Sequence, residues 1–115
     1  MFAKQLHPIW RELLADQLEL LSEIEDRVNS DPLSIPVSDK ILRAFKLPPQ
    51  DYRVLIVGQD PYPNPEHAIG LSFAVPAGTK PLPPTLSNIF KELQRDLGLC
   101  APDFPHPGGS LTHWA

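Results

Sequence analysis

Several common features are scarce or absent in this sequence. Cysteine occurs once in 115 residues, at Cys100, so no disulfide can form within the chain. A single thiol fits a reducing compartment, and we expect Cys100 to be inert or buried rather than a nucleophile. No apolar run approaches the length of a membrane span, and the first ten residues lack the apolar core of a signal peptide. These absences predict a soluble, cytoplasmic protein.

Clusters of positive charge and of metal-binding side chains are also missing. Ten basic and fourteen acidic residues give a formal net charge of −4, and neither half of the chain carries a basic stripe. This balance argues mildly against a nucleic-acid binder without excluding one, because local fields matter more than totals. There is no Cys/His cluster, so we predict no metal and no cofactor. His67 and His106 are expected to be loop residues.

Proline is abundant, and helical patterns lie between the proline-rich loops. The 15 prolines exceed twice the usual share and sit among apolar runs, which indicates ordered loops. Apolar residues recur at helical spacing from Trp10 to Val28, which predicts the first helix. A short second helix is predicted from Ser38, as its cap, to Phe45. A third is predicted from Thr85, as N-cap, to a stop at Gly98.

One segment is typical of a buried strand. Residues 52–58, YRVLIVG, are apolar on both faces, which favours a parallel strand inside an α/β layer fold. Residues 70–75, GLSFAV, offer at most one irregular strand more. A doubly wound parallel sheet has about five or six strands. We therefore predict that residues 1–115 are the N-terminal part of a larger single domain.

The loop after this strand places an acid between backbone constraints. In open α/β folds, sites lie at the carboxyl ends of strands, where Gln59 and Asp60 stand. Gly58 permits a sharp turn, and Pro61 pushes Asp60 towards an extended conformation. Such rigid placement suits a catalytic group. For QDP taken alone, a plain turn with Asp60 capping a backbone amide is the stronger interpretation.

The longer string changes this balance. GQDPYPNPEHAIGLSF, residues 58–73, closely resembles the water-activating loop of family 1 uracil-DNA glycosylases. Further similarity to this family, especially its actinobacterial members, covers nearly the whole chain in the strings LHPIW, RAFKLPPQDYRVLIVGQDPYP, KPLPPTLSNIFKEL and GGSLTHWA. The resemblance implies a three-layer α/β/α fold with a central parallel sheet, of which about half is missing after Ala115.

The resemblance also implies roles for the residues that match the glycosylase motifs. Asp60 matches the carboxylate that activates water and stabilises positive charge on the sugar. Gln59 matches a residue whose backbone holds uracil, Tyr62 the wall that excludes thymine, and Phe73 the aromatic that stacks on the flipped base. A departure is Pro63, where many members have histidine and actinobacterial members often have proline.

A second matching stretch concerns the DNA backbone. Pro83, Pro84 and Thr85 match the loop that presses on the DNA, with Thr85 contacting phosphate. Thr85 would cap the third helix in either interpretation, and a helix N-terminus is a good phosphate site. The implied partner is uracil-containing DNA, single- or double-stranded, and a DNA-mimicking inhibitor protein is possible for the family. We expect a monomer.

The chemistry of uracil release is compatible with a single carboxylate. Cleavage builds an oxocarbenium-like charge on the sugar. Uracil leaves as a delocalised imide anion, so a second acid is not required, and Glu66 is a weak candidate for one. The base must be flipped out of the duplex to be reached. Stacking on Phe73 would then contribute roughly 1–3 kcal/mol. Without the resemblance, Phe73 would be a core aromatic and Tyr62 a half-buried loop anchor.

Two alternatives to a monofunctional uracil-DNA glycosylase stay open. The family's uracil-reading asparagine, leaving-group histidine and intercalating leucine are not found in this chain, and His113 is not a substitute by motif. The chain could therefore be a catalytically incomplete fragment that binds DNA or a partner weakly. A weaker alternative is a small α/β nucleotide- or phosphate-binding module that uses the helix end at Thr85.

Overall fold

The computed structural model describes residues 1–98 and 110–112. Three α-helices lie in this part of the chain: α1 (Pro8–Leu13), α2 (Leu18–Ser30) and α3 (Pro84–Leu97). Short 3-10 helices occur at Phe2–Lys4, Ala15–Gln17, Arg43–Phe45 and Pro49–Asp51. No described helix combines the length and apolar character needed to cross a membrane. The predictions for Cys100, His106 and His113 lie outside the described residues.

The predicted fold class is wrong for the part of the chain that the structure describes. No strand occurs there, so the three-layer α/β/α arrangement with a central parallel sheet is not observed. Residues 53–58 have neither helical nor strand hydrogen bonding, and the apolar side chains of residues 54–57 are exposed rather than buried. The physical reason is that a strand exists only through pairing, and within residues 1–98 and 110–112 no segment pairs with this one through backbone hydrogen bonds.

The second predicted strand, residues 70–75, is also wrong. This segment folds as a turn in which the Ala74 amide donates to the Leu71 carbonyl at 3.2 Å. Phe73 adopts φ = +62°, in the left-handed region that non-glycine residues rarely enter. A left-handed residue reverses the chain direction, which is incompatible with a continuous strand.

The first predicted helix, Trp10–Val28, divides into two. α1 begins at Pro8, and the His7 side chain caps it by accepting a hydrogen bond from the Ile9 amide. At Leu14 the backbone leaves the helical region (φ = −102°, ψ = 20°), and the turn Ala15–Gln17 separates α1 from α2. Helical spacing of apolar residues does not show whether the helix is continuous, so the pattern alone could not reveal the break at Leu14.

The helix predicted from Ser38 to Phe45 is largely wrong. Residues 38–42 form turns, and only Arg43–Phe45 is helical, as a 3-10 segment. This region is held by the N-terminal segment instead. The Trp10 indole donates to the Leu47 carbonyl at 2.9 Å and its ring meets Phe45 edge-on, with centroids 5.2 Å apart. Tertiary contacts therefore replace the intrahelical bonds that the sequence suggested.

The third helix is confirmed, except at its start. Gly98 ends α3 in the left-handed conformation (φ = +66°), with its amide bonded to the Gln94 carbonyl. The predicted cap Thr85 is wrong, because Pro83 is the N-cap residue and Pro84 takes the first helical position. Proline suits that position, since its missing N–H would have no partner in the first turn.

The hydrophobic core lies under the turn at residues 70–75. Its buried centre is formed by Ile69, Ala74, Val75, Leu86 and Leu111. Leu86 anchors α3 to this centre, while Phe2 and Leu6 are buried at the N-terminal end. Among the described residues, eight hydrophobic side chains are buried, whereas twelve large ones are exposed. The core is small, and it is placed where it supports the segment between Gly58 and Thr85.

Candidate functional site

An open cleft of about 700 Å³ lies between the turn at residues 70–75, the loop at 58–62 and the end of α2. It is lined by five of the seven residues singled out from the sequence: Gln59, Asp60, Tyr62, Phe73 and Thr85. The other two, Pro83 and Pro84, are not part of its lining. The fold therefore brings most of the predicted residues to one concave surface.

The Asp60 carboxylate is exposed in this cleft and is hydrogen-bonded to the preceding residue, Gln59. The Gln59 side-chain amide donates to Asp60 Oδ2 at 2.7 Å. An ionised carboxylate has several acceptor positions, so one hydrogen bond leaves capacity for another donor. No other hydrogen bond to the Asp60 side chain occurs within the described part of the chain. Asp60 can therefore accept a further hydrogen bond from a molecule in the cleft.

Tyr62 and Phe73 form the aromatic part of the cleft. The Tyr62 hydroxyl donates to the Phe73 carbonyl oxygen at 3.1 Å, and both rings pack against the core. Burial raises the pKa of Tyr62 above its usual 10.0, because the phenolate form is disfavoured away from water. The hydroxyl therefore stays neutral near neutral pH and keeps its hydrogen bond to the Phe73 carbonyl oxygen.

The loop between these two aromatics is shaped by Asn64. Its side-chain oxygen accepts from the Glu66 amide at 2.9 Å, and its carbonyl accepts from the His67 and Ala68 amides. The His67 ring then meets Tyr62 edge-on at 6.1 Å between centroids. An asparagine followed by proline is a known turn signal, so this bracing was readable from the sequence.

The turn at 70–75 is fixed to two distant parts of the chain. Gly70 has φ = +79°, and a Cβ built there would lie 1.9 Å from the Lys40 carbonyl oxygen. Arg43 donates to the Ile69 carbonyl at 3.2 Å. On the other side, the Ser72 hydroxyl donates to the Ile56 carbonyl at 3.2 Å. These contacts set the distance between the acid and the aromatic walls.

The proline-rich stretch before α3 forms a rim beside the cleft. Pro83 is buried, whereas Pro84 and Thr85 are exposed at the first turn of α3. Thr85 alone of the three reaches the cleft lining. The helix start therefore presents a hydroxyl group to the same concavity as Asp60.

One wall of the cleft was not predicted from the sequence. Its apolar side comes from the end of α2 and the segment after it, through Val28, Ile35, Pro36 and Ile41. Ser72 was also missed, although it joins the turn to the segment before Gly58. The apolar spacing on α2 predicted one apolar face, but it gave no indication of which loop that face would meet, and no residue of α2 is buried.

No group of three or more His, Cys, Asp or Glu side chains lies together in residues 1–98 and 110–112 in a way that could hold a metal ion. The absence of a metal and of a cofactor stays a prediction from the sequence. The chemical groups that the cleft offers are a carboxylate, an amide, three hydroxyl groups and two aromatic rings.

Comparison with known proteins gives a consistent picture. No family model matches the chain. Individual relatives match it over nearly its whole length. A uracil-DNA glycosylase of Mycobacteroides abscessus is 46% identical over 98% of this chain and 50% of its own length. One of Nocardioides sp. is 46% identical, with coverage of 94% and 47%. Uracil-DNA glycosylase 1 of Streptomyces coelicolor is 44% identical, with coverage of 98% and 47%.

These relatives are DNA glycosylases by name, which defines the class of protein that the chain resembles. The chain is a partial-length relative within the uracil-DNA glycosylase family, as its sequence motifs indicated. It spans about half the length of the curated relatives that it matches.

Proposed function

We propose that this chain provides part of a uracil-DNA glycosylase, which hydrolyses the N-glycosidic bond between uracil and deoxyribose in DNA. The observation that carries this proposal is that Gln59, Asp60, Tyr62 and Phe73 line the same cleft. Residues 1–115 are taken to form the N-terminal part of one domain, and the active protein is taken to be a monomer. Uracil-containing DNA is the proposed partner, and a DNA-mimicking inhibitor protein would compete for the same surface.

Asp60 is proposed to act on the attacking water. As the bond between C1′ and the base nitrogen breaks, positive charge develops on the sugar and the electron pair leaves with uracil. The Asp60 carboxylate stabilises that charge, orients a water molecule towards C1′ and accepts its proton. The hydrogen bond from Gln59 supports this role. Gln59 Nε2 lies 2.7 Å from Asp60 Oδ2, which fixes one carboxylate oxygen and leaves acceptor capacity for water.

Tyr62 and Phe73 are proposed to select and hold the base. A cleft of about 700 Å³ falls in the range of small-molecule sites and could receive a nucleotide flipped out of the helix. Phe73 would stack on the base, and Tyr62 would exclude the 5-methyl group of thymine by steric clash. The hydrogen bond between the two residues supports this arrangement, because it fixes their relative positions. The Gln59 backbone would hold the uracil edge.

Pro83, Pro84 and Thr85 are proposed to contact the DNA backbone. Pro84 and Thr85 are exposed at the first turn of α3, where unpaired amides and the helix dipole favour a phosphate. Thr85 would add its hydroxyl to that interaction. Pro83 is buried, so its proposed role is to fix the position of the helix start rather than to touch DNA.

A second candidate is a catalytically incomplete fragment that binds DNA or a partner weakly. The observation that favours it is the chain's coverage of only about half of each relative. The cleft is also open, and the residues that would bind the leaving uracil anion were not found in the sequence. Both candidates use the same surface, so they differ in turnover rather than in location.

Uracil release from a single-stranded, uracil-containing oligonucleotide tests the two candidates. The assay is run with this chain alone and with this chain mixed with the part of the Mycobacteroides abscessus relative that does not align with it. Release by the chain alone supports an enzyme that needs no further part. Release only from the mixture assigns catalysis to a longer assembly. No release in either case, with the intact relative active beside them, overturns the proposed activity and favours the incomplete fragment.

A further inference from the structure

Three basic residues, Lys40, Arg43 and Lys46, follow one another on successive turns of the backbone and are here called the basic row. The Arg43 amide donates to the Lys40 carbonyl at 3.1 Å, and the Lys46 amide donates to the Arg43 carbonyl at 3.3 Å. In winding of this kind, with three residues per turn, side chains three residues apart eclipse one another. The sequence contains no run of basic residues here, so the row becomes visible only in the fold.

The protein does not neutralise the charges of the basic row. Asp39 is the one acidic residue in the segment 37–50. None of the three cations forms an ion pair in the part of the chain that the structure describes. Seven of the fourteen acidic residues lie elsewhere, between Glu12 and Asp31. The net charge of −4 therefore hides a local surplus of positive charge, and such local fields attract ligands of opposite sign.

The basic row borders the cleft that contains Asp60. Ile41, which lies between the first two cations in sequence, lines this cleft together with Ile69 and Gly70. Arg43 Nη1 donates to the Ile69 carbonyl oxygen at 3.2 Å. A Cβ built at Gly70 would lie 3.0 Å from the Arg43 Cβ. These contacts hold the row beside the wall of the cleft.

The chemistry of the row and the cleft together fits a single strand of DNA. A guanidinium group has five N–H donors, and Arg43 uses one of them for Ile69, so others remain for phosphate oxygens. Sites for single-stranded nucleic acid combine a positively charged track for the backbone with aromatic rings for the bases. Tyr62 and Phe73 supply such rings in the neighbouring cleft. An acidic polypeptide would match the charge but would bring no base to these rings.

We infer that Lys40, Arg43 and Lys46 form a phosphate-binding surface for the DNA strand where it leaves the cleft. The inference rests on DNA as the proposed partner but not on catalysis. It adds a second contact with the DNA backbone to the one proposed at Thr85. Because every nucleotide carries the same phosphate, this contact does not depend on the presence of uracil.

Oligonucleotide binding over a series of salt concentrations tests the inference. The probes are a thymidine strand of about twelve nucleotides and the same strand with one central deoxyuridine. Lys46→Gln should weaken the Kd on both strands about threefold at about 50 mM salt. It should also reduce the slope of log Kd against log salt by roughly 0.7, the value for one lost contact to a single strand. Adding Lys40→Gln should bring these changes to about tenfold and roughly 1.4.

Lys91→Gln is the matched control, because Lys91 is also an exposed lysine and lies on α3, outside the basic row. It removes the same charge and should change the Kd by less than about 1.5-fold. Both lysines are exposed, so the midpoint of urea unfolding should stay unchanged in either single variant. Arg43 is left in place because it also binds the Ile69 carbonyl.

Three results would overturn the inference. The first is that the thymidine strand does not bind at about 50 mM salt. The second is that Lys46→Gln and Lys91→Gln have equal effects, which would reduce the row to its share of the net charge. The third is that Lys46→Gln acts only on the strand with deoxyuridine.

The proposed function is tested separately by the wild-type chain in the same experiment. Equal affinity for the two strands would count against uracil recognition and leave the basic row standing. A preference for the deoxyuridine strand, with an unchanged salt slope in Lys46→Gln, would support uracil recognition and remove the row.

Discussion

The hydroxyl of Tyr62 donates a hydrogen bond to the carbonyl oxygen of Phe73, at 3.1 Å, across eleven residues of sequence. The accepting residue has φ = +62°, a conformation that costs a non-glycine residue roughly 1–2 kcal/mol. Strained conformations persist where several contacts determine them together. Here the contacts are the Tyr62 bond, the turn closed by Ala74, and the buried side chains that follow. The two aromatic walls of the cleft are therefore one coupled unit.

Tyr62→Phe should loosen this unit while keeping the ring. Loss of the hydroxyl removes one partly buried hydrogen bond, so the free energy of unfolding should fall by roughly 0.5–1.5 kcal/mol in urea titration. The Ala74 amide should also exchange faster with solvent, because its bond closes the strained turn. Tyr52→Phe, at the other tyrosine, is the control. Equal effects of the two substitutions would show that the bond to Phe73 contributes nothing specific.

The burial of Tyr62 predicts a pH dependence on the alkaline side. Its pKa is raised in the folded chain, whereas the unfolded chain ionises at the usual 10.0. The stabilising contribution of the neutral hydroxyl is complete below pH 10.0 and is lost as the pH rises through the raised pKa. The unfolding free energies of the wild type and Tyr62→Phe should therefore converge above pH 10.0. A constant difference across that range would contradict the assignment.

Gly70 should tolerate no side chain, and Gly78 provides a close comparison. Both have positive φ, +79° and +83°, so alanine is strained at either position. At Gly70, however, the new Cβ would lie 1.9 Å from the Lys40 carbonyl oxygen, whereas nothing lies within 4 Å at Gly78. Gly70→Ala should therefore cost at least about 2 kcal/mol more than Gly78→Ala, measured by urea unfolding. Similar costs would mean that the backbone moves freely at residue 70.

Asp60→Asn tests the proposed catalytic role in any assembly that releases uracil. The amide cannot take a proton from water or offset charge on the sugar, so the rate should fall by about a hundredfold or more. Binding of uracil-containing DNA should persist, because the substitution preserves shape. Glu66→Gln is the matched control for a nearby carboxylate and should retain the rate. Unchanged turnover in Asp60→Asn would remove Asp60 from the mechanism.

The candidate site was more predictable from the sequence than the fold. Some motifs fix local geometry by themselves. The prolines around Asp60 constrain the loop wherever it is placed, because each fixes its own φ. Helix α3 was predictable for the same reason, since its apolar stripe, proline start and glycine stop are all local. The predicted cap, Thr85, lies two residues after the observed N-cap, Pro83. The reason is that Pro84 suits the first helical position, so the helix begins there.

The absence of strands from the described residues could not be predicted, because a strand is a relation between two segments. The sequence of residues 52–58 has the composition of a buried strand, yet composition cannot specify whether a partner is present. Likewise, the sequence of residues 70–75 gives no indication that the backbone of Phe73 adopts the left-handed conformation. That conformation depends on Tyr62, on Ser72 with Ile56, and on the approach of Lys40 to Gly70, all of which are set by tertiary structure.

The exposed apolar residues 54–57 have a consequence for handling the protein in solution. Four β-branched or aliphatic residues without charge or proline form the kind of stretch that nucleates intermolecular aggregation. Charged residues stand on either side of it, at Arg53 before and Asp60 after, in the position of gatekeepers that oppose such stacking. The solubility of this chain should therefore depend on those two charges, and precipitation should be fastest where salt screens them.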